Sequence, residues 1–177
     1  MAGHPDDGGS SLPPPRDPAR AVYDTLERLG IAFVRHDHPP VFTVEEALAH
    51  WADIDATHCK NLFLRNKKGN RHYLVVAAHD RPVSIARVAD LVGDDRLSFA
   101  SPERLARHLG LTPGAVSPFG LINDAQHEVR VVVDAGLKDA VRVGFHPNVN
   151  TATVVVAMAD FERFLGSTGN PVQFATL

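Results

Sequence analysis

A chain of 177 residues with 44% apolar and 22% charged side chains is long enough to bury one substantial core and short for two, so a single domain is expected. The formal net charge of −3 excludes a general polyanion-coating surface, although a protein that handles only the end of an RNA needs no more than a local cluster of Lys and Arg. One cysteine, Cys59, excludes an intramolecular disulfide framework; with no charged leader running into an apolar segment and no stretch of membrane-spanning length, the expected setting is a reducing cytoplasm.

Residues 1–16 (MAGHPDDGGSSLPPPR) carry hardly an apolar side chain and are expected to form a disordered tail, with the domain running over residues 17–177. Asp17 as N-cap and Pro18 at the first helical position predict a helix with Val22, Leu26 and Leu29 on one face, stopped at Gly30 and followed by a strand from Ile31 to His36. His38-Pro39-Pro40 must be extended, because each proline restricts itself and the residue before it; Thr43 with Glu46 then forms a capping box that starts a short helix. Val41 and Phe42, held on both sides, suit either a rigid pocket wall or a core plug.

Lys60–Arg65 and His72–Ala78 are apolar runs joined by NKKGN, a hairpin with Gly69 in the turn. Ser84 caps a helix through Leu91 that Gly93 ends, and Arg96–Ala100 is a short strand. The stretch Ser101–Asp124 opens as a helix, with Ser101 as N-cap, Pro102 at the first position and Gly110 as the stop. It continues as a long loop punctuated by Pro113, Gly114, Pro118 and Gly120. Val116, Phe119, Leu121 and Ile122 are too apolar for a solvated connector, so this loop either wraps a ligand or covers the core. Glu128–Val133, Val141–Phe145 and Thr151–Ala157 are β-branched runs expected as strands covered on both faces, and Asp160–Leu165 is a last helix stopped by Gly166. The sum is a mixed α/β domain with a partly antiparallel sheet.

No Gly-rich nucleotide-binding fingerprint is present, so no nucleotide cofactor is expected. The ten histidines do not converge: His36 and His38 share a strand face without a third partner, and Cys59 lacks a C-x-x-C mate, so no metal site is expected. Cys59 projects away from Lys60 on a strand and suits a buried apolar role better than nucleophilic catalysis. Lys60 opens an apolar run; its ammonium either snorkels to the strand end or is held against an anion. The FHPNVN loop, Phe145–Asn150, offers His146, Asn148 and Asn150 either as turn caps or as hydrogen-bonding groups at the lip of the sheet.

Three segments in this order, HPPVFTVEEA (38–47), KNLFL (60–64) with its hairpin, and LGLTPGAVSPFGLIND followed by FHPNVNTAT (145–153), together resemble the YbaK and prolyl-tRNA synthetase editing-domain family, most of all its free-standing ProXp-ala-type members. The resemblance covers everything but the tail. It implies a compact mixed α/β domain with a curved, barrel-like sheet and a hydrolase that removes wrongly attached alanine from proline tRNA. It also implies that Lys60 engages the 3′-terminal adenosine and its phosphate, and that backbone amides of the Gly114–Pro118 element face the aminoacyl ester. His146 and Asn150 would stand at the pocket mouth, Lys60, Gly114 and His146 acting on the ester. Val41, Phe42, Asn61, Val116, Ser117, Pro118, Phe119, Gly120 and Asn150 would bind the substrate. Asn148 departs from the apolar residue associated with free-standing members.

The expected partner is the tRNA(Pro) acceptor end, with prolyl-tRNA synthetase a candidate second partner and no membrane. An activated ester needs only a positioned water and an oxyanion stabilised by backbone N–H groups, so no triad is required. Alanine is smaller than proline, so a tight pocket admits the error and excludes the correct product. The alternatives are a Cys- or Ser-tRNA deacylase and a non-catalytic tRNA-end binding module.

Overall fold

The computed structural model describes residues 17–41 and 43–177. The expected tail and Phe42 lie outside the described residues.

Helix starts follow local chemistry. Asp17 accepts the Ala19 amide proton at 3.0 Å to cap α1 (Pro18–Arg28), whose Val22 and Leu26 are fully buried. Thr43 caps α2 (Val44–Trp51) through the Glu46 amide at 3.2 Å. Ser84 and Ser101 cap α3 (Ile85–Val92) and α4 (Pro102–Leu109), and Gly93 and Gly110 close those helices in the left-handed conformation.

Eight strands form one mixed sheet: β1 (Phe33–Asp37), β2 (Thr57–Asn66), β3 (His72–Ala78), β4 (Leu97–Phe99), β5 (Val129–Asp134), β6 (Arg142–Phe145), β7 (Ala152–Ala157) and β8 (Val172–Ala175). The order is β1-β7-β6-β2-β3-β5-β8, with β4 paired to β2. β1 and β8, at the two ends of the order, do not pair with each other, so the mixed sheet does not close into a barrel. The main core gathers Phe63, Leu74, Val131 and Val154 from the sheet against Leu26 of α1, Leu105 and Leu109 of α4, and Phe161 and Phe164 of α5 (Met158–Thr168). A smaller cluster, built on Leu64, Tyr73 and Val132, packs under Val88 and Ala89 of α3.

Three stretches differ from expectation. Pro118–Asn123 is a 3-10 helix capped by Ser117 and not open loop. α5 runs through Gly166 to Thr168 and ends at Gly169, which adopts φ +78°; three turns of helix packed through Phe161, Phe164 and Leu165 outweigh the propensity cost of one internal glycine. β8 was not foreseen: it adds Val172–Ala175 to β5 in parallel, a pairing that no local pattern announces.

Candidate active site

β2 is where the sheet divides. On one edge it pairs with β3 along its length, from Cys59↔Ala78 to Arg65↔His72. Its other edge is shared: Thr57 and His58 pair with β6 in parallel, whereas Leu64–Asn66 pair with β4. Between these pairings, residues 59–62 meet no strand on that edge among the described residues. Phe63 O, which accepts from Ala100 N at 2.9 Å, faces the same edge, so strand alternation points the backbone N–H and C=O of Asn61 into the opening. Continuing the β2–β6 register from His58↔Gly144 by two residues sets His146 across this opening from Lys60.

Side-chain alternation distributes groups to the two faces of the opening. Cys59, Asn61 and Phe63 point toward the main core, whereas His58, Lys60, Leu62 and Leu64 point to the other face. Lys60 is half-buried, and its ammonium makes no hydrogen bond or ion pair with the described residues. Asn61 donates from Nδ2 to Val116 O at 3.0 Å and so ties the Pro113–Ser117 loop to β2. Lys60 and that loop therefore approach the open edge from opposite sides.

The loop holds its own shape. Ala115 N donates to Thr112 O at 3.1 Å, Ser117 Oγ accepts from Phe119 N at 3.2 Å, and Gly120 N donates to Ser117 O at 3.1 Å. Gly114 adopts φ +86°, a conformation that side chains resist. The amides of Gly114, Val116 and Ser117 donate to no acceptor among the described residues. Pro118 has no amide hydrogen, so these three are the loop's free donors beside Asn61.

On the Lys60 side stands a group of imidazoles. Ala152 O can only accept, so His146 donates from Nδ1 at 2.9 Å and keeps a lone pair on Nε2. Burial, with His38 nearby, holds the His146 pKa below its ordinary value, although the bond to Ala152 O opposes the shift. His38 packs 5.7 Å from the His146 ring and stacks on His50 of α2 at 5.5 Å. By the same reasoning His38 donates from Nδ1 to Pro39 O at 2.9 Å and accepts on Nε2 from Thr153 Oγ1 at 3.1 Å. Further along this face, His58 lies flat against Trp51 at 4.3 Å, and burial drops its pKa to about 4.

The residues singled out from sequence fall into distinct places. Val41 is buried and exchanges bonds with Asn150, its amide donating to Asn150 O at 3.2 Å and its carbonyl accepting from Asn150 Nδ2 at 3.1 Å. Asn150 thus fixes the Pro39–Val41 segment beside His146. Phe119 has no exposure, and its ring stands edge-on to Phe145 and Phe164 at 5.8 and 5.1 Å, so it supports the loop from within the core. Gly120 is needed for packing, because a Cβ there would stand 2.7 Å from Leu111 Cδ1. Cys59 is buried, with its thiol pKa pushed up by desolvation. His38 and Thr153 escaped the sequence reading as site residues; their partnership joins positions 115 residues apart, and the only local sign was a histidine flanking a Pro-Pro pair. A cavity of about 840 Å³ lies elsewhere, between α1 and Gly110, Ile122, Asn123 and Asn148. No group of three or more His, Cys, Asp or Glu side chains among the described residues is arranged to hold a metal ion, and no helix among them is long and apolar enough to cross a membrane.

Comparison with known proteins gives this geometry a context. Residues 38–164 match the model of the aminoacyl-tRNA editing domain. Over 156 residues the chain is 44% identical to the prolyl-tRNA editing protein ProX of Acetoanaerobium sticklandii, covering 87% of this chain and 94% of that one. The prolyl-tRNA synthetase associated domain-containing protein 1 of Danio rerio is 34% identical, with 92% of this chain and 89% of the relative aligned. Among solved structures, one described as a candidate trans-editing enzyme for prolyl-tRNA synthetase superposes with a TM-score of 0.67 at 25% identity, over 94% of this chain and 98% of that one. The open edge of β2, with Lys60 and Asn61 on it, falls inside the matched span, and the chain belongs to the aminoacyl-tRNA editing domain family.

Proposed function

We propose that the protein is a trans-acting deacylase that hydrolyses the ester of mischarged aminoacyl-tRNA, with alanyl-tRNA(Pro) as its substrate. Family membership and a relative named as a prolyl-tRNA editing protein support the reading. The observation that carries it is the set of three amides, those of Gly114, Val116 and Ser117, that bond to none of the described residues, at an open strand edge that also bears a half-buried lysine whose ammonium has no partner among them. An acyl ester passing to its tetrahedral intermediate places a negative oxygen where such donors are most useful. Lys60, reaching in from the other face, supplies the charge that the phosphate of the terminal nucleotide requires.

In this mechanism water adds to the ester carbonyl, the oxyanion forms against the loop amides, and the ribose oxygen leaves with a proton to give free amino acid and intact tRNA. His146, held neutral with its Nε2 lone pair available, can accept a hydrogen bond from water or from a ribose hydroxyl of the terminal adenosine. The acceptor itself sets the order of events, because the reacting bond is reached only when the terminal nucleotide lies across the β2 edge. Val41 and Val116 supply apolar walls near that edge, and Phe119 braces the loop behind them. To a pocket bounded by these residues we assign the sorting by size that admits alanine and refuses proline. Prolyl-tRNA synthetase, the source of the mischarged product, is the candidate partner, and the cytoplasm the expected setting.

Lys60→Ala tests the assignment. It is expected to reduce Ala-tRNA(Pro) hydrolysis at least a hundredfold while shifting the melting temperature little, because the Lys60 ammonium bonds to none of the described residues and the backbone pairing with Ala77 is kept in the variant. A variant that keeps full activity would overturn the role given to this edge.

A further inference from the structure

The β2–β3 hairpin gathers positive charge. Residues 57–79 hold Lys60, Arg65, Lys67, Lys68 and Arg71 and not one Asp or Glu, a charge of +5 in a chain whose net charge is −3, so the rest of the molecule carries −8. The charge is also graded along the hairpin. Asp53 and Asp55 lead into β2 and Asp80 follows β3, at the end where Cys59 pairs with Ala78, whereas the cations cluster toward the turn at the other end. Arg96 and Arg104 join them there: Arg96 precedes Leu97, which pairs with Asn66, and Arg104 Nη1 donates to Gly69 O at 2.7 Å. Asp94 and Asp95 share the cleft beside the turn, but Asp94 is engaged by Arg71 at 3.3 Å and by the Tyr73 hydroxyl. Lys67 and Lys68 are exposed and make no ion pair among the described residues. The turn that presents them is braced from within. Asn66 Oδ1 accepts from the amides of Asn70 and Arg71 at 3.1 and 3.2 Å, Asn66 O accepts from Gly69 N at 3.0 Å, and Arg65 Nη1 donates to Lys67 O at 3.1 Å. What the tip offers outward is two ammonium groups on a preorganised backbone.

We propose that this hairpin tip, through Lys67 and Lys68, holds the phosphate backbone of the paired acceptor stem of the substrate tRNA, without reading its sequence. This rests on the deacylase reading above. From Lys60 to Asn66 the strand advances about 20 Å, at about 3.3 Å per residue. That span is comparable to the short single-stranded 3′ end of a tRNA, so with the terminal phosphate at Lys60 the paired stem begins beside the turn. The charge gradient sets the direction: the acids at the far end of the hairpin repel a polyanion that the tip attracts. Lysine fits the task, because an ammonium on a flexible stem is a point charge for phosphate, which positions a nucleic acid and carries no base information. A chain of net negative charge thereby acquires a local footing on RNA.

The test measures kcat/KM on two alanyl esters, Ala-tRNA(Pro) and the alanylated trinucleotide CCA, which ends alike and has no stem, over a series of salt concentrations. The double variant Lys67→Ala/Lys68→Ala is expected to lose about tenfold or more on the tRNA at low salt, through KM and not kcat, and to stay within about twofold of wild type on the trinucleotide. Its log–log salt slope on the tRNA should flatten by roughly 1 to 2, about one for each phosphate contact removed. Arg20→Ala/Arg28→Ala, which removes the same charge from exposed positions on α1, is the control and should stay within about twofold on both substrates. An unchanged KM and salt slope in the lysine variant, an equal loss in the control, or an equal loss on the trinucleotide overturns the inference and leaves the deacylase reading standing. A wild-type protein that hydrolyses neither ester refutes that reading, and this inference with it.

Discussion

Gly114 separates a functional backbone from a merely tolerant one. At φ +86° an alanine is strained, at a cost of roughly 1–2 kcal/mol. Gly93, the left-handed stop of α3 at φ +70°, offers the matched control: a Cβ there meets nothing within 4 Å, so Gly93→Ala carries the same kind of strain and no clash. Both substitutions are expected to lower the melting temperature by roughly 2–8 °C, at about 2–4 °C per kcal/mol for a domain of this size. Starting from even about 5 kcal/mol of stability, a loss of 2 leaves under about 1% of molecules unfolded at 25 °C, so unfolding cannot explain a large fall in rate. Gly114→Ala is nevertheless expected to slow Ala-tRNA(Pro) hydrolysis by about 10- to 100-fold, because moving the Gly114, Val116 and Ser117 amides by a fraction of an ångström forfeits much of their alignment. Gly93→Ala should stay within about twofold of wild type. Thermal melts and single-turnover deacylation on the same preparations provide the comparison. Equal activity in the two variants would refute the assignment of the loop amides to the ester.

Two further outcomes follow from buried titratable groups. The pKa of His72 falls to about 4, through burial first and then the His108 ring at 3.9 Å and the Arg104 guanidinium, whose Nη1 donates to His72 Nε2 at 3.0 Å. His58 is also near 4. Depressed histidines leave stability complete above the unfolded value of about 6.5 and remove it as pH falls toward the folded value, so urea midpoints should drop between pH 6.5 and 4.5. His72→Phe, which retains the stack on Phe63 without the proton, should flatten that drop, and an unaltered slope would place the effect elsewhere. Cys59, with its thiol buried and its pKa raised, should resist iodoacetamide in the native state; Cys59→Ser should keep deacylation within about threefold of wild type, whereas abolished activity would revive a thiol nucleophile.

Much of this architecture was legible because it is locally encoded. Asp17-Pro18, Thr43 with Glu46, Ser84 with Gly93 and Ser101-Pro102 with Gly110 each state a helix boundary in side chains that satisfy end groups, and the structure places caps at all four. The β2–β3 hairpin was equally plain from two apolar runs and Gly69, which adopts φ +69°. What stayed hidden is non-local. The opening at residues 59–62 exists only because β6 and β4 take opposite ends of one β2 edge, and nothing within KNLFL states that. Gly166 misled for a related reason, since packing of Phe161 and Phe164 carries α5 past it. For the site, the resemblance singled out Lys60 and the Gly114–Pro118 loop, but whether Phe119 faced a ligand or the core depended on Phe145 and Phe164, both distant in sequence.

A deacylation panel on purified protein tests directly whether the proposed esterase admits alanine and rejects proline. Ala-, Cys-, Ser- and Pro-tRNA(Pro) are incubated in parallel and the remaining aminoacylated fraction is followed with time. Rapid loss of the alanyl ester, slower loss of the cysteinyl and seryl esters and an intact prolyl ester are the predicted result. Hydrolysis of Pro-tRNA(Pro) at a rate comparable to the alanyl ester, or no hydrolysis of any of the four, would contradict it.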